Sequence, residues 1–284
     1  MTRRPRMYRE TLRDGMLQAA RWAARRPFAA TGLYVLLVSA LFLVLPQLDL
    51  WASGLFHDPQ AGFFAQDEPF LRRLRHLGPH LVQLVAGACV TVLLVKLLLP
   101  GRAPLLPLHI PLFLLSTLIL GPGLLVNSLL KNTWGRPRPN MVESFGGDMP
   151  YVPVWLPSGW CDTNCSFVSG EASSGMWLVG LAFVVPKDWR LPTLAFTVPL
   201  CLLLSVNRIA FGGHFLSDTL LSWGLTLLVL LAVHRLLFVA PPAWARDAAL
   251  DETLTRAGRR LQERVVRAAL RGYAAARRFV AMFR

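Results

Sequence analysis

Three short polar islands interrupt the apolar runs of this chain, and each offers groups suited to holding a phosphate. Lys131-Asn132-Thr133-Trp134-Gly135-Arg136-Pro137-Arg138-Pro139 supplies cations on a Pro-stiffened segment. Phe167-Val168-Ser169-Gly170-Glu171-Ala172 supplies a hydroxyl, backbone donors and a carboxyl group. The stretch from Asn207 to Asp218 carries Arg208, His214 and Asp218. Cations drawn from separate segments stabilise the charge that develops on a transferring phosphoryl group. A His with one ring nitrogen held has the other free as nucleophile or base. A lone His at the border of an apolar run reads as an interfacial residue. With an Arg six positions before it and an Asp four after, His214 reads as chemistry.

The islands resemble the three motifs of the type 2 phosphatidic acid phosphatase (PAP2) superfamily of membrane lipid phosphatases: K-x6-R-P, P-S-G-H and S-R-x5-H-x3-D. Lys131, Arg138 and Pro139 match the first; Arg208, His214 and Asp218 match the third, with Asn207 in the place of Ser. Ser169 and Gly170 match the second, where Val168 replaces Pro and Glu171 stands in the place of the second His. The resemblance runs from about Leu108 to Phe238. It implies an all-α, polytopic membrane protein built as a six-helix bundle. It also implies a phosphatase for lipid phosphate monoesters or diphosphates that needs no metal or other cofactor. His214 would attack phosphorus to form a phosphohistidine, with Asp218 holding its ring. Lys131, Arg138 and Arg208 would meet the equatorial oxygens, and the backbone N–H groups of Ser169 and Gly170 would face the anion at a helix start. Arg136 is a second-ranked phosphate ligand that can equally meet a lipid head group. The implied partner is a membrane lipid phosphate: a lipid A phosphate, an isoprenyl diphosphate or a phosphatidate-type lipid. A phosphotransferase of the same family and a lipid-binding protein that has lost catalysis are the alternatives.

Blander readings stand beside these. Asp218 suits a helix start as a cap, Lys131 suits snorkelling to head groups, and the small residues from Ser169 to Gly175 suit close helix packing. Glu171 has three readings: a general acid in place of the family's His, a structural partner of a cation, or the mark of an inactive protein. A carboxylic acid protonates a leaving oxygen when an apolar site keeps it protonated, whereas neighbouring cations keep it charged. A readily departing diphosphate or anomeric sugar phosphate needs least help from an acid.

The elements that position these groups are membrane spans. In the 284 residues 54% are hydrophobic, and mean hydropathy is +0.45. The apolar runs Phe28–Leu45, Leu81–Leu99, Leu108–Leu130, about Phe167–Val185, Leu191–Val206 and Phe215–Val239 predict six spanning helices. The stretch before Phe28 carries eight Arg and no Lys, and the tail after the sixth span is also Arg-rich. The positive-inside rule puts both termini in the cytoplasm. All three islands then fall on the opposite, periplasmic face of a bacterial-type inner membrane. Arg72, Arg73 and Arg75 oppose that orientation without reversing it.

The chain divides into a basic segment 1–27, a six-span body 28–239 and a basic segment 240–284. Thr2–Arg26 reads as an interfacial helix, and from Leu250 onward an apolar stripe opposes a row of Arg. The formal net charge of +14, clustered beside spans, points to anionic lipid and away from nucleic acid. Oligomeric state is not legible. Pro46–Pro79 is rich in aromatic and turn residues and reads as a membrane-lying segment, either a plain interfacial anchor or a lip over the site. Cys89 and Cys201 lie in apolar runs, whereas Cys161 and Cys165 fall in an oxidising compartment and form a candidate disulfide. Two Cys without a nearby His do not make a zinc site.

Overall fold

The computed structural model describes residues 4–282, with the side chains of 14–279, 281 and 282. Thr2 and Arg3 of the expected interfacial helix lie outside the described residues. The fold is mostly helical: α1 (Arg4–Arg25), α2 (Pro27–Val44), α3 (Gln47–Gly54), α4 (Pro69–Leu98), α5 (His109–Thr133), α6 (Gly170–Val179), α7 (Lys187–Ala210), α8 (Leu216–Val239) and α9 (Asp247–Ala281). A two-stranded hairpin pairs His57 with Phe63 and Asp58 with Gly62. The five helices α2, α4, α5, α7 and α8 are long and apolar enough to cross a membrane. The chain is an all-α polytopic membrane protein.

The segment expected as the fourth span is shorter. It forms the ten residues of α6 and a four-residue 3-10 turn, Gly180–Phe183. At about 1.5 Å per residue this falls short of a hydrocarbon core of about 30 Å. Its composition explains why it needs no apolar length. Gly170, Ala172, Ser173, Gly175, Trp177 and Leu178 are buried, so α6 packs against protein. A Cβ placed at Gly175 would lie 3.1 Å from the Cys201 Cα of α7. The Ser173 and Thr226 hydroxyls share a 2.7 Å hydrogen bond, and Ser222 Oγ donates to the Ser169 carbonyl at 2.6 Å.

Two compact units are present. The first holds residues up to Val82 and Thr117–Ala232. Its apolar core joins Val38 and Phe42 of α2, Val126 and Leu130 of α5, Phe167, and Leu221 of α8. Trp134 and Trp155 pack on Phe167 with ring centroids 5.2 and 4.9 Å away. Within this unit α5 takes a π-helical course from Ile119 to Leu130, where Pro122 has no N–H to give the ladder. The second unit holds Gln83–Ser116 and the chain from Val233 on. There the buried Lys96 Nζ pairs with Asp251 at 2.6 Å and donates to the Arg102 carbonyl at 2.9 Å. Leu261, Val265 and Leu270 of α9 are exposed.

At the centre of the first unit lies a fully buried ion network. Arg136 pairs with Asp49 of α3 at 2.8 Å and with Asp218 of α8 at 2.6 Å, all three side chains being inaccessible to solvent. Its Nε donates to the Val152 carbonyl at 2.8 Å, and Nη1 also donates to Ser217 Oγ at 2.9 Å. The guanidinium carbon lies 4.4 Å from the Phe215 ring centroid. Burial alone would disfavour the charge, but the two carboxylates outweigh it and raise the Arg136 pKa. The expectation of Arg136 as a phosphate ligand is therefore corrected: its donors are already committed to the protein.

A lone charge left by breaking a buried pair costs about 3–5 kcal/mol. Arg136→Met, which leaves two facing carboxylates, should lose stability on that scale. Asp49→Asn keeps Arg136 paired with Asp218 and should lose less. Thermal unfolding of the detergent-purified variants checks the order, and a reversed order would reject the network as the organising contact.

Candidate active site

His214 sits in the turn between α7 and α8 and is fully buried. Its Nδ1 lies 2.7 Å from the Ser166 carbonyl oxygen. A carbonyl only accepts, so Nδ1 carries the proton and the neutral ring keeps its lone pair on Nε2. Burial pushes the His214 pKa from 6.5 down to about 4, which keeps the ring neutral and Nε2 nucleophilic at ordinary pH. Nε2 faces Glu171 Oε2 at 3.5 Å. Neither atom has a hydrogen-bond partner among the described residues.

Asp218 does not hold the imidazole directly. Its Oδ2 accepts from Ser166 Oγ at 2.5 Å and from the Phe215 N–H at 2.9 Å, while Oδ1 meets Arg136. Ser166 N–H in turn donates to the Arg136 carbonyl at 2.9 Å. The ring is thus oriented by a main-chain carbonyl whose position Asp218 and Arg136 fix. This corrects the expected contact, and it brings in Ser166 and Asp49, which carried no signal in the sequence.

The cations come from three segments. Arg208, near the end of α7, lies with Nε 3.1 Å from Glu171 Oε1. Lys131, at the end of α5, reaches Asn164 Oδ1 at 3.4 Å. Arg138 donates to the Asn164 carbonyl from Nε at 3.1 Å and Nη2 at 2.6 Å. Asn164 therefore steadies two of the three cations. It has a left-handed backbone, φ 52°, which Asn tolerates better than most residues. The Cys161–Cys165 disulfide, with Cα atoms 5.8 Å apart, closes the loop that carries it. The Cys165 N–H also donates to the Lys131 carbonyl at 3.0 Å. Sequence reading singled out the two Cys but missed the Asn between them, because nothing in the spacing says which way its carbonyl points.

The start of α6 lies beside the cations. Ser169 caps the helix, its Oγ accepting from the Ala172 N–H at 3.3 Å. A Cβ at Gly170 would stand 2.8 Å from Asn127 Oδ1 and 3.3 Å from Lys131 Nζ, so Gly lets the Asn127 and Lys131 side-chain ends lie close over this helix start. A Cβ at Gly213 would strike Arg208 Nη2. A cavity of about 210 Å³ is lined by Arg75, Asn127, Lys131, Gly170, Glu171 and Ser174. Another of about 290 Å³ is lined by Gln66, Arg72, Arg75, Arg138, Asn140 and Arg208, among others. No group of three or more His, Cys, Asp or Glu is arranged for a metal among the described residues. His214, Glu171, Arg208, Lys131, Arg138 and Gly170 thus line or adjoin the two cavities, while Arg136 and Asp218 lie behind them. The arrangement can seat an anion between a nucleophilic ring nitrogen, several cations and one carboxyl group.

A family model of the PAP2 superfamily matches residues 111–241. The lipid A 4′-phosphatase of Rhizobium leguminosarum is 44% identical over 122 residues, 43% of this chain and 52% of that protein. The Rhizobium etli protein of the same name is 43% identical over 122 residues, 43% of this chain and 48% of that protein. The lipid A 4′-phosphatase of Francisella tularensis subsp. novicida is 33% identical over 178 residues, 62% of this chain and 80% of that protein. The chain spans about half the length of the two Rhizobium proteins. No solved structure matches the chain.

The role of the disulfide loop is open to measurement. Replacing Cys161 and Cys165 together by Ser frees Asn164, and hydrogen bonds to charged groups contribute about 1.5–3 kcal/mol. Binding of orthophosphate or vanadate to the purified double variant should weaken about 10-fold with helical content unchanged by circular dichroism. Unchanged affinity would leave the loop no part in holding the cations.

Proposed function

The chain belongs to the PAP2 superfamily, and we propose that it is an integral membrane phosphatase acting on a lipid A-type phosphate through a phosphohistidine at His214. The observation that carries this reading is the buried His214. Its Nδ1–H is tied to a carbonyl, and its Nε2 is unpartnered among the described residues beside Glu171 and Arg208. In this mechanism Nε2 attacks phosphorus while Lys131, Arg138 and Arg208 take the equatorial oxygens. The P–O bond to the lipid breaks, and Glu171 gives its proton to the leaving oxygen. Water then attacks the phosphohistidine, the Glu171 carboxylate takes the proton from that water, and phosphate departs.

Pairing with Arg208 and His214 favours the charged form of Glu171, so in this reading the proton it passes on arrives with the phosphate monoester. The carboxylate lies against Arg208, a cation that the phosphate charge needs. A proton on Glu171 removes the repulsion between carboxylate and phosphate and is the proton the leaving group requires. The names of the relatives move the substrate reading from readily departing groups towards a 4′-phosphate, an ester of a non-anomeric alcohol that needs an acid. In this reading the basic segments 1–27 and 240–284 are cytoplasmic and lie on anionic lipid. The body 28–239 is set in a bacterial-type inner membrane with the site on its periplasmic face.

His214→Ala should abolish phosphate release while leaving the helical content intact, and acid-quenched labelling should trap acid-labile, base-stable phosphate on the wild type alone. Above about pH 4 the ring is neutral and Nε2 is free; below it a proton occupies Nε2. The kcat/KM profile should therefore fall as pH drops through about 4, and an acid limb near the ordinary His value of about 6.5 would contradict the burial argument.

Glu171→Gln keeps the shape of the side chain and removes its acid. General acid catalysis contributes about 10²–10⁴-fold, so turnover of alkyl phosphates should fall on that scale while activated aryl phosphates lose little. A uniform loss across leaving groups would assign Glu171 to pairing with Arg208 instead.

A further inference from the structure

The cations around the site outnumber what one phosphate needs. Lys131, Arg138 and Arg208 meet the transferring group. Arg75 lines both cavities and Arg72 the one that holds Arg138 and Arg208, while Glu171 lines the other. Asp218 is already committed to Arg136. Neither Arg72 nor Arg75 has a carboxylate partner among the described residues, and both are exposed. Their placement is a property of the fold. The second apolar run begins at Leu81, but α4 begins at Pro69, so its first turns carry these Arg side chains to the site. Arg75 lines both cavities, the one with Lys131 and Glu171 and the one with Arg138 and Arg208. Its guanidinium carbon lies 5.7 Å from the Phe211 ring centroid, and that of Arg208 lies 5.9 Å from the same centroid. The two guanidinium groups therefore share one aromatic support. Gln66 Nε2 donates to the Phe211 carbonyl at 3.0 Å, fixing this rim from the preceding segment. Like charges gathered this closely repel one another unless an anion joins them.

We propose that Arg72 and Arg75 form a second anion subsite on the rim of the phosphate cradle, which takes a second phosphate group carried by the same lipid substrate. The proposal rests on the phosphatase reading and adds a specificity element to it. One phosphate seats at His214 and is transferred; the other stays on the lipid and is held by Arg75, with Arg72 beside it. A neighbouring anionic head group offers the same chemistry. The substrate's own second phosphate is favoured because Arg75 lines the cavity that holds Glu171 and Lys131 as well as the outer one.

The test uses detergent-purified full-length protein as wild type, Arg75→Gln and Arg72→Gln, with Arg73→Gln as a control on the same helix that lines neither cavity. Two substrate pairs are compared: an isoprenyl monophosphate with its diphosphate, and a glucosamine-disaccharide lipid bearing one phosphate with the same lipid bearing two. The wild type should prefer the doubly phosphorylated member of at least one pair, in kcat/KM and in equilibrium binding. Arg75→Gln should cut that preference about 10-fold, the scale of a hydrogen bond to a charged group, the loss on the doubly phosphorylated member exceeding that on the singly phosphorylated one by this factor. Which pair responds tells whether the two phosphates are joined or separated. Equal losses on both members of both pairs would overturn the proposal. So would a loss on monophosphates that appears only when phosphatidylglycerol is added to the micelles, because it would assign the rim to bulk head groups. If the wild type released phosphate from none of the four lipids, the phosphatase reading would fail, and the binding comparison would still decide the subsite.

Discussion

The pairing of Arg136 with Asp49 and Asp218 is the contact on which the rest of the site depends. It joins α3, the loop after α5 and the start of α8, three segments far apart in sequence, at one solvent-free point. A buried ion pair is a weak source of net stability, because each charge must first leave water. What it supplies here is position. Arg136 fixes Ser166 through its own carbonyl, Asp218 fixes Ser166 through its hydroxyl, and Ser166 fixes His214. The guanidinium that resembles a phosphate ligand in the sequence thus sets where His214 stands.

The second constraint is spatial. Charges that repel one another are held around a small space by groups that are neither charged nor apolar: the Asn164 carbonyl, the Asn164 amide and the bare backbone at Gly170 and Gly213. These let Lys131, Arg138 and Arg208 converge without a carboxylate for each. Among the described residues Glu171 is the acid that lines a cavity with Lys131 and lies against Arg208.

Much of this was legible in the sequence. Five of the six apolar runs became helices long enough to cross a membrane, and the three polar islands named His214, Arg208, Lys131, Arg138 and Glu171, which the fold gathers around two cavities. Reading failed where function depended on direction and not on residue type. The spacing of His214 and Asp218 is right for a direct contact, yet the chain between them turns so that Ser166 intervenes. Hydropathy placed the start of the second span at Leu81, whereas helical structure continues back to Pro69, because exposed Arg and His fit a helix outside the apolar layer as readily as a loop. The fourth span has the apolar content of a membrane helix but packs inside protein, and composition does not distinguish those two surroundings. Asn164 and Asp49 act through a carbonyl and a long-range pairing, for which a single sequence carries no local sign.

The Ser166 carbonyl has one more consequence. The atom that sets the tautomer of the His214 ring belongs to the main chain, so no replacement at position 166 removes it. What a replacement there alters is the hydroxyl that links this carbonyl to Asp218. The ring's orientation and its coupling to the buried charges are therefore separable traits. A lineage could change residue 166, loosen His214 from the ion network and tune how firmly it is held, while the proton stays on Nδ1 throughout.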